Sequence, residues 1–322
     1  WSRFEGIDVS DPHKYSEAIL KSPHLEAIRE DWRKKLDAPF YGVTNDGKRR
    51  EGLYQIRDEG APTKQMSVRK SRYSLRLGFG YMIMLAFSFT LFGEPSETEP
   101  WGYMLFGHHL CLNVFIARQQ MVIGPVFIGA EPNVVRKIID EGLDKGLTLC
   151  ANEGQLGLQL MQSLPPILQQ KAQIYPTMKD PAMPEGRWNP ADQRHMAGAF
   201  QDNRVIPYEG IIVTDMSEEQ QILIMAIVHE FLALWPAEPL RHRLKQILKH
   251  LNETHFCWIG GFGEDDPFYY RIQSPVALFE FDHHSGVFLT NKEPAKYHIH
   301  TIQRLPNGND YGRALRELLR PR

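Results

Sequence analysis

The sequence has few of the features that would name a function outright. Its three cysteines, Cys111, Cys150 and Cys257, lie far apart and form no Cys-x-x-Cys pair. That argues against a thiolate zinc knuckle and a disulfide scaffold, and a reduced, cytoplasmic setting is expected. Net charge of one sign is also missing. Thirty-seven Lys and Arg against 39 Asp and Glu leave a formal charge of −2, so no bulk field draws the chain to nucleic acid or acidic lipid, and no nucleic-acid partner is expected. One nearly continuous apolar stretch, Leu77 to Phe92, follows a basic run (Arg69, Lys70, Arg72, Arg76) and is broken by Gly78 and Gly80. It falls short of the ~20 residues that cross a bilayer, so it reads as a buried strand or helix rather than a membrane partner. No charged segment followed by an apolar core marks a secretory signal.

Familiar catalytic signatures are absent too. No Gly-x-Ser-x-Gly marks a nucleophile elbow. His229-Glu230 has Ala233 where a metalloprotease helix needs its second histidine, and Gly260-Gly261-Phe262-Gly263 lacks the Lys-Ser/Thr and the helix of a phosphate loop. There is no internal repeat.

What is present is a chain of 322 residues, 42% hydrophobic with six tryptophans, enough to bury a core. Leu25, Ile28, Trp32 and Leu36 recur at helical spacing after Asp11-Pro12, and 41–65 is polar and aperiodic. This divides the chain into an N-terminal helical segment and linker, 1–66, and a main domain, 67–322. Strands are expected over 101–116 and 121–128 with a turn at 117–120. A helix over 154–172 should kink at Pro165-Pro166. A helix capped by Ser217 and another over 240–251 follow, then strands over 255–259, 268–273, 276–281 and 297–304, and a short helix over 311–319. Helices and strands are segregated. The expected class is therefore α+β: a mostly antiparallel sheet carrying the histidine motifs, with helices packed on one side or end.

Six of the thirteen histidines fall in three pairs: His108-His109, His283-His284 and His298-Ile299-His300. On a strand, residues i and i+2 share a face, so His298 and His300 present two imidazoles side by side, as a divalent metal requires. Glu280 lies on another expected strand and offers a carboxylate to complete such a set. Only one of His108 and His109 can face the same site. His283-His284 precede Ser285-Gly286 and read as a solvated hairpin turn. His-x-His also occurs as ordinary sheet surface or core pairing, and that reading stands beside the metal.

Several stretches together resemble the domain of unknown function 3500 family. These are Gly-Glu-Pro-Ser-Glu-Thr-Glu-Pro-Trp-Gly-Tyr-Met-Leu-Phe-Gly-His-His-Leu (93–110), Phe-Ile-Gly-Ala-Glu-Pro (127–132), Cys-Trp-Ile-Gly (257–260), Tyr-Tyr-Arg-Ile-Gln-Ser-Pro (269–275), Glu-Phe-Asp (280–282), His-Ile-His-Thr (298–301) and Asn-Asp-Tyr-Gly (309–312). The resemblance covers most of 90–322, whereas 67–88 departs from the family pattern. It implies a fungal-type protein of unassigned function with shared positions at His108, His109, Arg271, Glu280, His298, His300, Asp310 and Tyr311. His283 and His284 stand outside that pattern.

The combined expectation is a metal-dependent enzyme acting on a small-molecule substrate. His298, His300, one of His108/His109 and Glu280 bind a divalent transition metal (iron, copper, manganese or zinc), in an oxygenase or other oxidoreductase first and a hydrolase second. Arg271 or Arg304 orients an anionic or carbonyl group, and Asp310 orients a histidine or acts as a base. Arg271 and Asp310 can equally form a structural ion pair. The competing reading is a non-catalytic binding protein or degenerate family member.

Overall fold

The computed structural model describes residues 41–43, 49–51, 54–55, 88–92, 95–107, 109–118, 120–131, 133, 148–188, 192–198, 203–285 and 291–319. The expected N-terminal helix, the boundary at 66/67, most of the 67–88 and 77–92 stretches, and His108 lie outside them. The described residues up to Val126 and from Tyr311 onward form one compact unit; those from Phe127 to Asp310 form a second.

In the first unit β1 (Tyr41–Val43) pairs antiparallel with β2 (Arg49–Glu51). Strands β3 (Tyr54–Gln55), β4 (Ser88–Phe92), β5 (Trp101–Gly107) and β6 (Leu110–Ala117) form successive antiparallel ladders, with β7 (Gln120–Ala130) next in order. The turn expected at 117–120 is there, with Arg118 at φ 54°. Phe92, Met104, Phe115 and Tyr311 form this unit's core, joined by Leu315 and Leu319 of the short helix Arg313–Leu319.

The second unit carries the chemistry. Helix α1 (Ala151–Ser163) is followed by α2 (Pro166–Ala172), with Pro165-Pro166 restarting the helix as expected. Strands β8 (Gln173–Tyr175) and β9 (Ile211–Ile212) precede α3 (Glu218–Leu232), whose first turn is closed by a reciprocal capping box between Ser217 and Gln220. After α4 (Ala237–Lys249) come β10 (His255–Gly260), β11 (Phe268–Gln273), β12 (Leu278–His283) and β13 (Ile299–Arg304). Ladders β10–β11–β12–β13 are antiparallel, while β8 pairs parallel and β9 antiparallel with β10. The last residues of β7 flank β13, where Thr301 Oγ1 donates to Ile128 O at 2.9 Å. The architecture is α+β with a mostly antiparallel sheet, as the segregated pattern predicts.

Alternation along β10–β13 gives the sheet two unlike faces. Phe256, Trp258, Phe268, Tyr270, Phe279 and Phe281 form one, against Leu160, Met161, Ile224 and Val228 of α1 and α3. Tyr269, Arg271, Gln273, Glu280, Asp282, His300 and Arg304 point the other way and are also buried. Irregular chain within 176–209 bonds to that second face. Among the described residues, no helix is long and apolar enough to cross a membrane.

Candidate metal centre

The register of β12 and β13 sets Asp282 opposite His300, with His284 and His298 two residues further along the same face. The remaining members come from the turn Asp192-Gln193-Arg194-His195. It closes through His195 N–H donating to Asp192 O at 3.1 Å and bends at Gln193, whose φ is 47°. That left-handed conformation costs a non-glycine residue roughly 1–2 kcal/mol. The Gln193 side chain offsets it by donating to Ser285 Oγ at 2.6 Å and accepting from Arg194 Nη2 at 2.8 Å.

Charged residues of the sheet grip this turn. Arg194 Nε donates to Asp282 Oδ1 at 2.6 Å, with both side chains fully buried, and Arg194 Nη2 donates to His283 O at 2.6 Å. Glu280 accepts from Met196 N–H at 2.8 Å, Ala197 N–H at 2.9 Å and the Tyr269 hydroxyl at 2.5 Å. Arg304 Nη1 donates to Ala197 O at 2.6 Å, and its Nη2 lies 3.0 Å from Asp310 Oδ2, which accepts from Asn203 N–H at 2.7 Å. Gly198 has no room for a side chain: a Cβ there would fall 2.2 Å from Asp192 Oδ2.

The result is a buried group of Asp192, His195, His284 and His300 whose ligand-type atoms all lie within 4.8 Å of one another. Asp192 Oδ1 is 3.1 Å from His195 Nδ1, 3.2 Å from His300 Nδ1 and 3.8 Å from His284 Nε2. Ligands held at ~2.0–2.1 Å around a tetrahedral ion are about 3.3 Å apart, so these separations fit one. His284 Nε2 also lies 3.0 Å from Asp282 Oδ2, yet its direction makes no hydrogen bond, and the buried His195 Nε2 makes none either. Buried ring nitrogens rarely go without a partner. His298 continues the chain outward: its Nε2 is 3.0 Å from His300 Nε2, and its Nδ1 is 2.7 Å from Ser285 O.

The electrostatics follow from burial around one carboxylate. Burial pushes the Asp192 carboxyl up, but His195 and His300 outweigh it and hold the group well below the usual range. Burial also drives His195 down, and Asp192 reverses that to raise it to about 9. His284 and His300 are held well below the ordinary histidine range by burial, as is His298 to a lesser degree. One proton or one cation among several neutral imidazoles satisfies such a set.

Of the residues singled out from sequence, the fold places His300 in the group and His298 against it. Both oxygens of Glu280 are occupied by the 196–197 backbone and Tyr269. His109 sits in the first unit, in the turn between β5 and β6, and Tyr311 packs in that unit's core. Arg271 and Asp310 do not pair: Arg271 Nη2 bonds Glu209 at 2.8 Å, and Asp310 pairs with Arg304. The solvated reading of His283-His284 is corrected, because both are 3% exposed. His284 turns to the polar face, and His283 packs edge-on against Phe268 and Phe281. Asp192 and His195 were missed because their segment has no periodicity. Their one sequence signal is an acid and a histidine three apart in a polar, Pro-rich loop.

No curated protein and no solved structure matches the chain. A family model described as a protein of unknown function (DUF3500) matches residues 43–313. Because that match covers most of its length, the chain belongs to the DUF3500 family.

Proposed function

We propose that Asp192, His195, His284 and His300 hold one divalent transition metal ion and that the protein is a metal-dependent enzyme acting on a small organic molecule. The observation that carries the reading is His300 Nδ1 facing Asp192 Oδ1 at 3.2 Å. A carbonyl oxygen only accepts, so His298 Nδ1 carries the proton shared with Ser285 O, and because burial favours the neutral ring its Nε2 is the acceptor. On this reading His300 Nε2 donates to it, and the His300 Nδ1 lone pair is turned toward the Asp192 carboxylate. Two lone pairs at that distance repel unless a cation lies between them. A second proton on His300 is opposed by burial and by neighbouring His284. A metal ion meets the requirement.

Imidazole and carboxylate together suit iron, copper, manganese or zinc. Bound there, the ion would supply a redox centre in an oxidoreductase, or Lewis acidity in a hydrolase as the second choice. The chain's own residues hold and orient the ligands. His298 sets the tautomer of His300, Arg194 and Asp282 fix the turn beside His284, and Glu280 and Arg304 clamp 196–197. Asp310 acts through Arg304. A second reading, a cation-free cluster in a non-catalytic protein, is favoured by the close pairing of Asp192 with a protonated His195.

Elemental analysis of the full chain, purified without an affinity tag, tests the proposal. About one equivalent of a single transition metal is expected in the wild type, and almost none in Asp192→Asn or His284→Ala, given that structural ligand sets bind tightly. A wild type that takes up no metal after reconstitution would leave the cation-free cluster as the reading.

A further inference from the structure

A second polar cluster lies on the same face of the sheet, around Arg187 and Arg271, which are 4% and 1% exposed. Nη2 of each approaches one and the same oxygen, Glu209 Oε2, at 4.0 and 2.8 Å. Arg271 Nη2 also donates to Pro207 O at 3.0 Å, and Arg187 Nη1 donates to Arg194 O at 2.5 Å. The Arg187 guanidinium lies 5.1 Å over the Tyr269 ring. After these contacts Arg187 Nε and Nη2 and Arg271 Nη1 remain buried without a hydrogen bond. A guanidinium cannot shed its proton, so these stay charged donors that burial makes costly to leave unmet.

Among the described residues, no nearby acidic group is left to meet them. Glu280 is committed to two backbone N–H groups and the Tyr269 hydroxyl. Burial raises both the Tyr269 hydroxyl and the Cys257 thiol, so neither supplies an anion. Among the described residues Glu209 is the one carboxylate that serves both forks, and its side chain is 25% exposed, beside exposed Pro207 and Tyr208. Behind it Gly210 has φ +80°, and a Cβ would fall 2.1 Å from Phe256 O, so the backbone under Glu209 is pinned to β10.

We propose that Arg187 and Arg271 form a binding site for a small oxyanion, a carboxylate or a phosphate, and that Glu209 sits at its solvent side as an internal stand-in for that ligand. An oxyanion offers several acceptor oxygens at once and spans both forks, which a single carboxylate oxygen of Glu209 does not. A cation or a neutral polyol lacks that complement. The site shares no residue with the metal group and does not depend on metal being bound.

The test is titration calorimetry and thermal unfolding of the full chain after chelator treatment, with malonate and with phosphate, against chloride at equal ionic strength. Saturable 1:1 binding of malonate or phosphate, with a rise in Tm that chloride does not reproduce, is expected. The tighter of the two identifies the ligand class. Glu209→Gln should tighten binding, and Arg187→Gln should weaken it by about tenfold or more, the loss of one charge-assisted hydrogen bond. Arg187→Lys, which keeps the charge and loses the fork, should fall between wild type and Arg187→Gln and decides the matter if Arg187→Gln does not fold. No saturable binding to wild type or Glu209→Gln, or affinity unchanged by both Arg187 variants, overturns the proposal. Metal content measured on untreated samples of the same variants separates this outcome from failure of the metal reading.

Discussion

The two faces of the β10–β13 sheet are made by the same strands and are both buried, yet they are held by different physics. Against α1 and α3, Trp258, Phe268, Tyr270 and Phe281 stack in a continuous aromatic row, with Tyr270 and Phe281 parallel at 5.3 Å. That side gains from apolar burial, which is nondirectional and tolerates small adjustments. The opposite side buries Arg271, Glu280, Asp282, His300 and Arg304. Each is tolerable there only through directional contacts with an irregular segment that has no apolar stripe of its own. One face makes the fold, and the other spends part of that stability on orienting a loop.

If this division is right, Phe281→Ala should cost about 3–5 kcal/mol in denaturant unfolding and leave metal stoichiometry intact in the folded fraction. Asp282→Asn should cost a similar ~3–5 kcal/mol by stranding the Arg194 charge, but it should also abolish metal uptake. Equal effects of the two on metal would break the comparison. Gly198→Ala sharpens it at smaller cost. The new methyl displaces the Asp192 carboxylate, so a loss of about 1–3 kcal/mol and a fall of about 10–100-fold in metal affinity are expected by competition with a chelating dye.

The most gradual contrast is with pH, in metal-stripped protein. His283, on the aromatic side, is held down to about 3 by burial. Its contribution is present above the unfolded value near 6.5 and is lost as pH falls, by at most about 1.4 kcal/mol per pH unit. His195, on the polar side, is raised to about 9. Its contribution is present below ~6.5 and is lost as pH rises through about 9. Stability measured from pH 5 to 9.5 should therefore fall at both ends. His283→Phe should make the acid arm shallower, leaving the part that buried His284 and His300 contribute, and metal should remove the alkaline arm, because an ion replaces the proton shared with Asp192. An alkaline arm that persists with metal bound would exclude His195 as a ligand.

Much of the frame was legible in the sequence because periodicity reports burial. The restart at Pro165-Pro166, the Ser217 cap, the antiparallel strands and the shared face of His298 and His300 all follow from local rules. The rest was not legible, for a definite reason. Asp192 and His195 reach the sheet from a loop, where spacing carries no directional information. Whether His284 is solvated or buried depends on chain that returns from nearly a hundred residues upstream. Glu280 has the chemistry of a ligand, but three donors from elsewhere in the fold claim its oxygens first. The sequence alone determined that this chain makes an α+β fold with imidazoles gathered on strands, because pattern and propensity are local. Only the tertiary structure decided which carboxylate faces them, since that choice depends on which donors the returning loop brings into a buried interior.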